Sequence, residues 1–515
     1  MLDGEGIGLD GDFTAAYLAV QRLAGLAERD PTTLTPQTVT ALETLLARDD
    51  HARQTQARIL YRDAASILTR LLANGPGHLA RASRSALERA LSTPGKPRLA
   101  AAEAAGSLPL GITGPTLRFP DPGRPCSVAF ATLLDQADVA PDARLRTAGR
   151  SHIAPTRDPD TLLVVKRLRR GEDPAGLVRE AVWMRYCAGL DFPVPCHVPR
   201  PLGSDEAPLV AVTDAPDLPG QVPDASGLAL AYLARRAYFA YPNDPPAAGG
   251  PDAAAFAATM TRAALLLGWL AGRGILHEAA IPLFHNRVQQ DRREDGGVYD
   301  WRLPGRLDRW LASSLHPNFG LSGLRDFEHL ASLTGRPARL YRRMGDHFVS
   351  LFLVAGSYYR MREPSLLGRR PDGSPVDARH LFDEDHLTGV VADMVTAYRT
   401  GFVGRAPAEP PFCARSLARR MIEEMGVDRY MTELVRVADQ EAMTDAAFVD
   451  FCVARGMAPE TARSLRRGEA DVELVTGPHL GAFNDRTSLP ELAECTAAAA
   501  AACLVGRYFA DRGRN

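Results

Sequence analysis

Thr161-Leu162-Leu163-Val164-Val165-Lys166-Arg167-Leu168 is an apolar run that ends in a lysine. Two leucines and two valines in succession, with no polar alternation, predict a strand covered on both faces. A helix is expected over residues 176–187, then strands over 198–202 and 209–213, before the proline-rich loop Asp214-Ala215-Pro216-Asp217-Leu218-Pro219-Gly220. Upstream, residues 116–119 and 127–133 have the same β texture. Downstream, Phe256, Met260, Ala264 and Leu267 recur at spacings of four, four and three, which buries one face of a helix over 253–272. This order predicts an α+β fold with a small β-rich part ahead of a helical one.

Helical texture dominates on either side. Residues 13–108 form a string of short amphipathic segments, with turn signals at Asp30-Pro31, Asp49-Asp50, Asn74-Gly75 and Pro94-Gly95. Thr35-Pro36 has the form of an N-cap followed by proline in the first turn. The succession predicts a HEAT-like α-helical scaffold or docking domain over 1–110. The β-rich and helical parts are expected to form a second domain over 111–400. A helical C-terminal region is expected over 401–515, with proline and glycine breaks at 364–375 and 406–411 and a closely packing alanine run at 497–502.

Composition narrows the class. A chain of 515 residues, 45% apolar and 24% charged, has the make-up of globular protein with room for two or three domains. Its 60 basic and 62 acidic side chains nearly cancel, so neither nucleic acid nor an anionic membrane is an expected partner. Cysteines 126, 187, 196, 413, 452, 495 and 503 are odd in number and lack CxxC spacing, which points to a reducing compartment and away from a disulfide framework or zinc knuckle. No stretch of about 18 apolar residues is evident, and the first residues have neither a basic start nor an apolar core. A cytoplasmic location is therefore expected, with leaderless secretion compatible.

A lysine closing a buried strand and a glutamate on the next helix, here Lys166 and Glu180, are the pair that positions ATP phosphates in the protein-kinase fold. That arrangement predicts a bilobal kinase-like domain; a surface lysine and a solvated glutamate are the alternative. Gly274-Ile275-Leu276-His277-Glu278-Ala279 follows the long helix as Gly-Ile-x-His-Arg-Asp does in kinases, with Ala279 in the place of the catalytic aspartate. Transfer to a hydroxyl then lacks its base, and Glu278, one position away, is expected to point elsewhere. Leu324-Arg325-Asp326-Phe327-Glu328 resembles the Asp-Phe-Gly segment, with glutamate replacing glycine. Asp326 and Asn318, eight residues earlier, offer the oxygen ligands that Mg²⁺ with a triphosphate takes from protein. Asn286 is a rival amide, and a helix N-cap is the structural alternative for Asp326.

Residues 283–318 form an insert in which 288–290 and 298–301 are expected to pair as a hairpin and 305–310 to open a short helix. His277, Gln290, Tyr299 and Arg306 suit a second pocket there, by stacking or hydrogen bonding to adenine and ribose and by a guanidinium for phosphate. Asn484, in a polar loop near the C-terminus, is a further candidate for it.

Taken together these residues resemble the SidJ-type pseudokinases, bacterial effectors that glutamylate proteins from within a kinase fold. The family's strand lysine and helix glutamate are spaced as Lys166 and Glu180 are, its metal-binding Asn and Asp as Asn318 and Asp326, and its second-pocket His and Arg much as His277 and Arg306. The resemblance spans about residues 144–360. It implies ATP and Mg²⁺ as cofactors, adenylation of a protein substrate's carboxylate, and transfer to free glutamate or another amino acid. Lys166 would neutralise phosphate, Glu180 orient Lys166, Asn318 and Asp326 hold Mg²⁺, and His277 with Arg306 grip AMP. His316 stands where the family has tyrosine, and no Ile-Gln helix is present near the C-terminus, so calmodulin is not an expected partner. The rival readings are an unconventional phosphotransferase and a non-catalytic pseudokinase scaffold.

Overall fold

A computed structural model describes residues 13–47, 57–93, 95–122, 125–242, 253–282, 316–333, 337–361, 384–405, 444–453, 459, 463 and 489–512. Five helices open it: α1 (Phe13–Arg29), α2 (Pro36–Leu46), α3 (Ala57–Asn74), α4 (Gly77–Ser92) and α5 (Lys96–Ala105). Thr35 caps α2 as its sequence predicts, in a reciprocal capping box with Thr38 that satisfies two otherwise orphaned N–H groups. Apolar side chains repeat along one face of α3 (Leu60, Tyr61, Ala64, Leu68, Leu71), and that face packs against α1, α4 and α5. The last described helix, Leu489–Arg512, lies on α4 and α5, and its Tyr508 hydroxyl donates to the Ala73 carbonyl at 3.0 Å. Its alanines 497–502 are fully buried, as small side chains at a close helix contact should be. One apolar core links these helices to the helices Ala175–Ala188 and Ala253–Ala271 and to one face of a β-sheet, and a second, smaller one lies between that sheet and residues 130–137.

The α+β expectation holds. The next elements are β1 (Ser127–Ala129), α6 (Phe130–Gln136), β2 (Arg146–Ala148), β3 (Ser151–Pro155), β4 (Thr161–Arg167), α7 (Ala175–Ala188), β5 (Arg200–Pro201), β6 (Val210–Thr213) and β7 (Leu228–Arg235). They form a mixed seven-stranded sheet in the order β1-β6-β7-β4-β3-β2, with β5 paired to β7. The Leu162–Val165 run lies at its centre, antiparallel to β3 on one side and β7 on the other. Both faces of β4 are covered, which is why its sequence does not alternate.

Three expectations are corrected here. Residues 116–119 are not a strand; they belong to an extended strap tied at Gly114, whose N–H donates to the Leu333 carbonyl. Of residues 127–133 only the first three are strand, and Phe130 and Leu133 instead share the buried face of α6, because a short apolar run fits either period. The central strand β7, Leu228-Ala229-Leu230-Ala231-Tyr232-Leu233-Ala234-Arg235, was not foreseen. Alanine is a weak strand former, but a strand buried between β4 and β6 has room for small apolar side chains on its crowded faces.

Helix α8 (Ala253–Ala271) buries Phe256, Met260, Ala264 and Leu267 completely, in agreement with their spacing. Over 254–271 it is long and apolar enough to cross a membrane, contrary to the expectation that no window qualifies, and 61% of that stretch is buried inside the fold. It packs against the helix Glu384–Val403 at a glycine contact: a Cβ on Gly268 would lie 2.1 Å from the Tyr398 carbonyl oxygen, which is backbone and cannot rotate away. Gly268→Ala is expected to cost about 1–3 kcal/mol in a urea melt. Gly389→Ala, on the partner helix with nothing within 4 Å, is expected to be neutral or stabilising.

Candidate functional site

Lys166 closes β4, and α7 runs back across the sheet with Glu180 on its buried face. The Lys166 ammonium donates to Glu180 Oε2 at 2.7 Å and to Asp326 Oδ1 at 3.2 Å, with Glu328 Oε2 at 3.6 Å. Lys166 is 9% exposed and Glu180 1%, so the pair is neither a surface lysine nor a solvated glutamate. Burial alone would lower the Lys166 pKa, but Glu180, Asp326 and Glu328 hold it well above the usual lysine range. Burial pushes the Glu180 carboxyl up to about 7 against the pull of Lys166.

The eight-residue spacing of Asn318 and Asp326 follows from a hairpin. Strands β9 (Phe319–Gly320) and β10 (Gly323–Leu324) pair Leu324 with Phe319, and one step outward the Arg325 N–H donates to the Asn318 carbonyl at 2.8 Å. The chain after β10 therefore returns beside Asn318. Asp326 adopts a left-handed backbone (φ 53°, ψ 57°), and its N–H donates to the Tyr238 hydroxyl at 3.3 Å. It occupies the N-cap position of the turn Phe327–His329, yet its side chain faces Lys166 and makes no capping hydrogen bond. The Asn318 NH₂ donates to the Ala279 carbonyl at 2.7 Å, which turns the amide oxygen away from Ala279.

These four side chains, Lys166, Glu180, Asn318 and Asp326, face a cavity of about 710 Å³. Tyr232 and Tyr238 wall it, and Arg144, Arg146 and Arg236 stand along it as exposed side chains. Glu328, at the position of the expected glycine, binds the guanidinium of Arg150 at 2.9 Å, and Arg150 also pairs with Glu172. Burial would raise the Glu328 carboxyl, but Lys166 and Arg150 hold it below the ordinary range. Carboxylate oxygens of Asp326 and Glu328 and a ring nitrogen of His329 lie within 4.8 Å of one another. Sequence reasoning missed Arg150, Glu172, Tyr238 and the arginines along the cavity. The only signal for Arg150 was its place after Gly149, whose φ of 52° makes the tight β2–β3 turn.

Residues 275–279 do not line this cavity. Strand β8 (Ile275–His277) pairs with β11 (Leu330–Ser332), and His277 is fully buried beneath the loop carrying Asp326, its Nε2 2.9 Å from the Arg325 carbonyl. It is not among the residues lining the cavity. His347 donates through Nε2 to the His277 carbonyl at 2.9 Å and meets the Tyr398 hydroxyl through Nδ1 at 2.8 Å; burial pushes its pKa down to about 3. Glu278 accepts from Arg339 at 2.6 Å, with Arg343 at 3.7 Å. Ala279 is buried beside Asn318 and contributes only its carbonyl. Gln290, Tyr299, Arg306, Asn484 and the rival amide Asn286 lie outside the described residues, as does most of the expected insert.

No known family model matches the chain, and no curated protein matches it.

Proposed function

We propose that this chain is an ATP- and Mg²⁺-dependent enzyme on a bilobal, protein-kinase-like framework that adenylates a protein carboxylate and transfers the acyl group to an amino acid, glutamate being the specific expectation. The observation that carries the reading is Lys166 held between Glu180 and Asp326 in a cavity that also receives Asn318; the sequence reading of Ala279 as the replacement for a catalytic aspartate is in keeping with it. The donor set fits Mg²⁺: a carboxylate and an amide oxygen, both hard ligands, leave further positions for phosphate and water. Bound there, Mg²⁺ would neutralise triphosphate charge.

The residues then have distinct tasks. Lys166 offsets phosphate charge, and Glu180 keeps its ammonium on the cavity side. A substrate carboxylate needs no general base, because it is already an anionic nucleophile. Its oxygen attacks the α-phosphorus, the bond to the β-phosphate oxygen breaks, and pyrophosphate leaves. The amine of the amino acid then attacks the acyl carbon, AMP departs, and the nitrogen loses a proton to give an amide. A site without a catalytic aspartate suits this sequence better than hydroxyl phosphorylation.

Incubation of the full chain with Mg²⁺–ATP, glutamate and a cell lysate is expected to release AMP and pyrophosphate in amounts that track modified protein. Release of ADP instead would make the chain a phosphotransferase. No nucleotide turnover, with a melting temperature insensitive to Mg²⁺–ATP, would support the scaffold reading.

A further inference from the structure

We infer that the cavity mouth binds an acidic, extended segment of the protein substrate, through Arg144, Arg146 and Arg236. This rests on the proposed modification of protein carboxylates and adds the substrate class to it. The charges of the site are sorted by depth. Inside, Lys166 and Arg150 are shared among Glu172, Glu180, Asp326 and Glu328, an excess of carboxylate that suits a metal ion, while Arg325, which also lines the cavity, lies over the rings of Tyr238 and Tyr241. Outside, Arg144, Arg146 and Arg236 line the same cavity, are exposed, and among the described residues pair with no carboxylate; Arg236 gives its Nε to the Pro159 carbonyl at 3.1 Å.

The spacing selects a peptide. Arg146 opens β2 and Arg144 lies two residues before it, outside the strand; both line the cavity, so both face its side. Alternate side chains of a strand repeat at about 6.5–7 Å, and a second extended chain presents its own alternate carboxylates at the same interval. Among the described residues β2 is the outermost strand on its side of the sheet, so this row borders no further strand. Three exposed guanidinium groups, without carboxylate partners among the described residues, raise the local concentration of an acidic segment beside the cavity and steer one of its carboxylates inward.

Fluorescence anisotropy of labelled octaglutamate with the full chain tests this, using a Gly-Ser octapeptide as the neutral control. Octaglutamate is expected to bind, and Arg144→Glu/Arg146→Glu to weaken it about tenfold or more while the Mg²⁺–ATP-induced melting shift persists. Arg144→Ala/Arg146→Ala, which removes charge without reversing it, is expected to give an intermediate loss. The proposal is overturned by unchanged octaglutamate binding in the double variants, by no binding to the unaltered chain, or by competition from a single-stranded oligonucleotide of equal charge at lower concentration. It is equally overturned if the double variants lose the Mg²⁺–ATP shift, since the arginines would then be holding phosphate. If octaglutamate binds as expected but the unaltered chain shows no Mg²⁺–ATP shift, the adenylation reading fails and the acidic-peptide surface stands.

Discussion

Asp326→Asn is expected to reduce nucleotide turnover about a thousandfold while leaving the protein folded. On the proposed reading the carboxylate is one of two oxygen ligands for Mg²⁺, and removing a group that organises charge on a transferring phosphate typically costs factors of this size. Stability is expected to move the other way or not at all. Asp326 sits in a cluster where carboxylates outnumber cations, and it raises the proton affinity of Glu180. Substituting a neutral amide relieves that repulsion, and Lys166 keeps Glu180 at 2.7 Å and Glu328 at 3.6 Å. The predicted signature is an unchanged or higher melting temperature without ligand, loss of the Mg²⁺–ATP shift, and loss of turnover. Retained turnover would remove Asp326 from the metal site. Lys166→Met is a poorer test of the same idea, because it leaves buried Glu180 without its cation and confounds activity with folding.

Much of this site was legible because its parts are set by local rules. The uninterrupted apolar run before Lys166 marks a strand with two covered faces, and fourteen residues suffice for a turn and half a helix to bring Glu180 back over it. Asn318 and Asp326 were readable as a pair because a two-strand hairpin needs few residues to return on itself. What could not be read depends on contacts distant in sequence. Arg150 and Glu328 are 178 residues apart, and neither position signals the other. Strand β7 was missed for the opposite reason: its alanines carry little local preference, and only its place between β4 and β6 decides its form. His277 was expected at a nucleotide pocket because its residue type suits one. Its position is fixed by β8–β11 pairing and by His347 from a later helix, neither of which its neighbours in sequence announce, while the other residues expected at that pocket lie outside the described ones.

Glu278→Ala is expected to cost about 3–5 kcal/mol, the largest stability effect among these variants. The Glu278 carboxylate is 1% exposed and faces Arg339 and Arg343, the latter also almost wholly buried. Removing one member of such a group leaves a buried guanidinium short of countercharge, which is far more costly than never having buried the pair. Arg343 retains Asp346 at 3.0 Å, so the loss should fall within that range rather than beyond it. Glu278→Gln keeps the shape and one acceptor for Arg339 and is expected to lose less, about 1–3 kcal/mol in a urea melt. The same variant separates structure from chemistry. If the glutamate beside Ala279 were a displaced base, the glutamine form, assayed well below its melting temperature, would lose turnover out of proportion to its folded fraction. Its commitment to two arginines leads to the opposite expectation: turnover per folded molecule, and the ratio of AMP to ADP released, should match the unaltered chain.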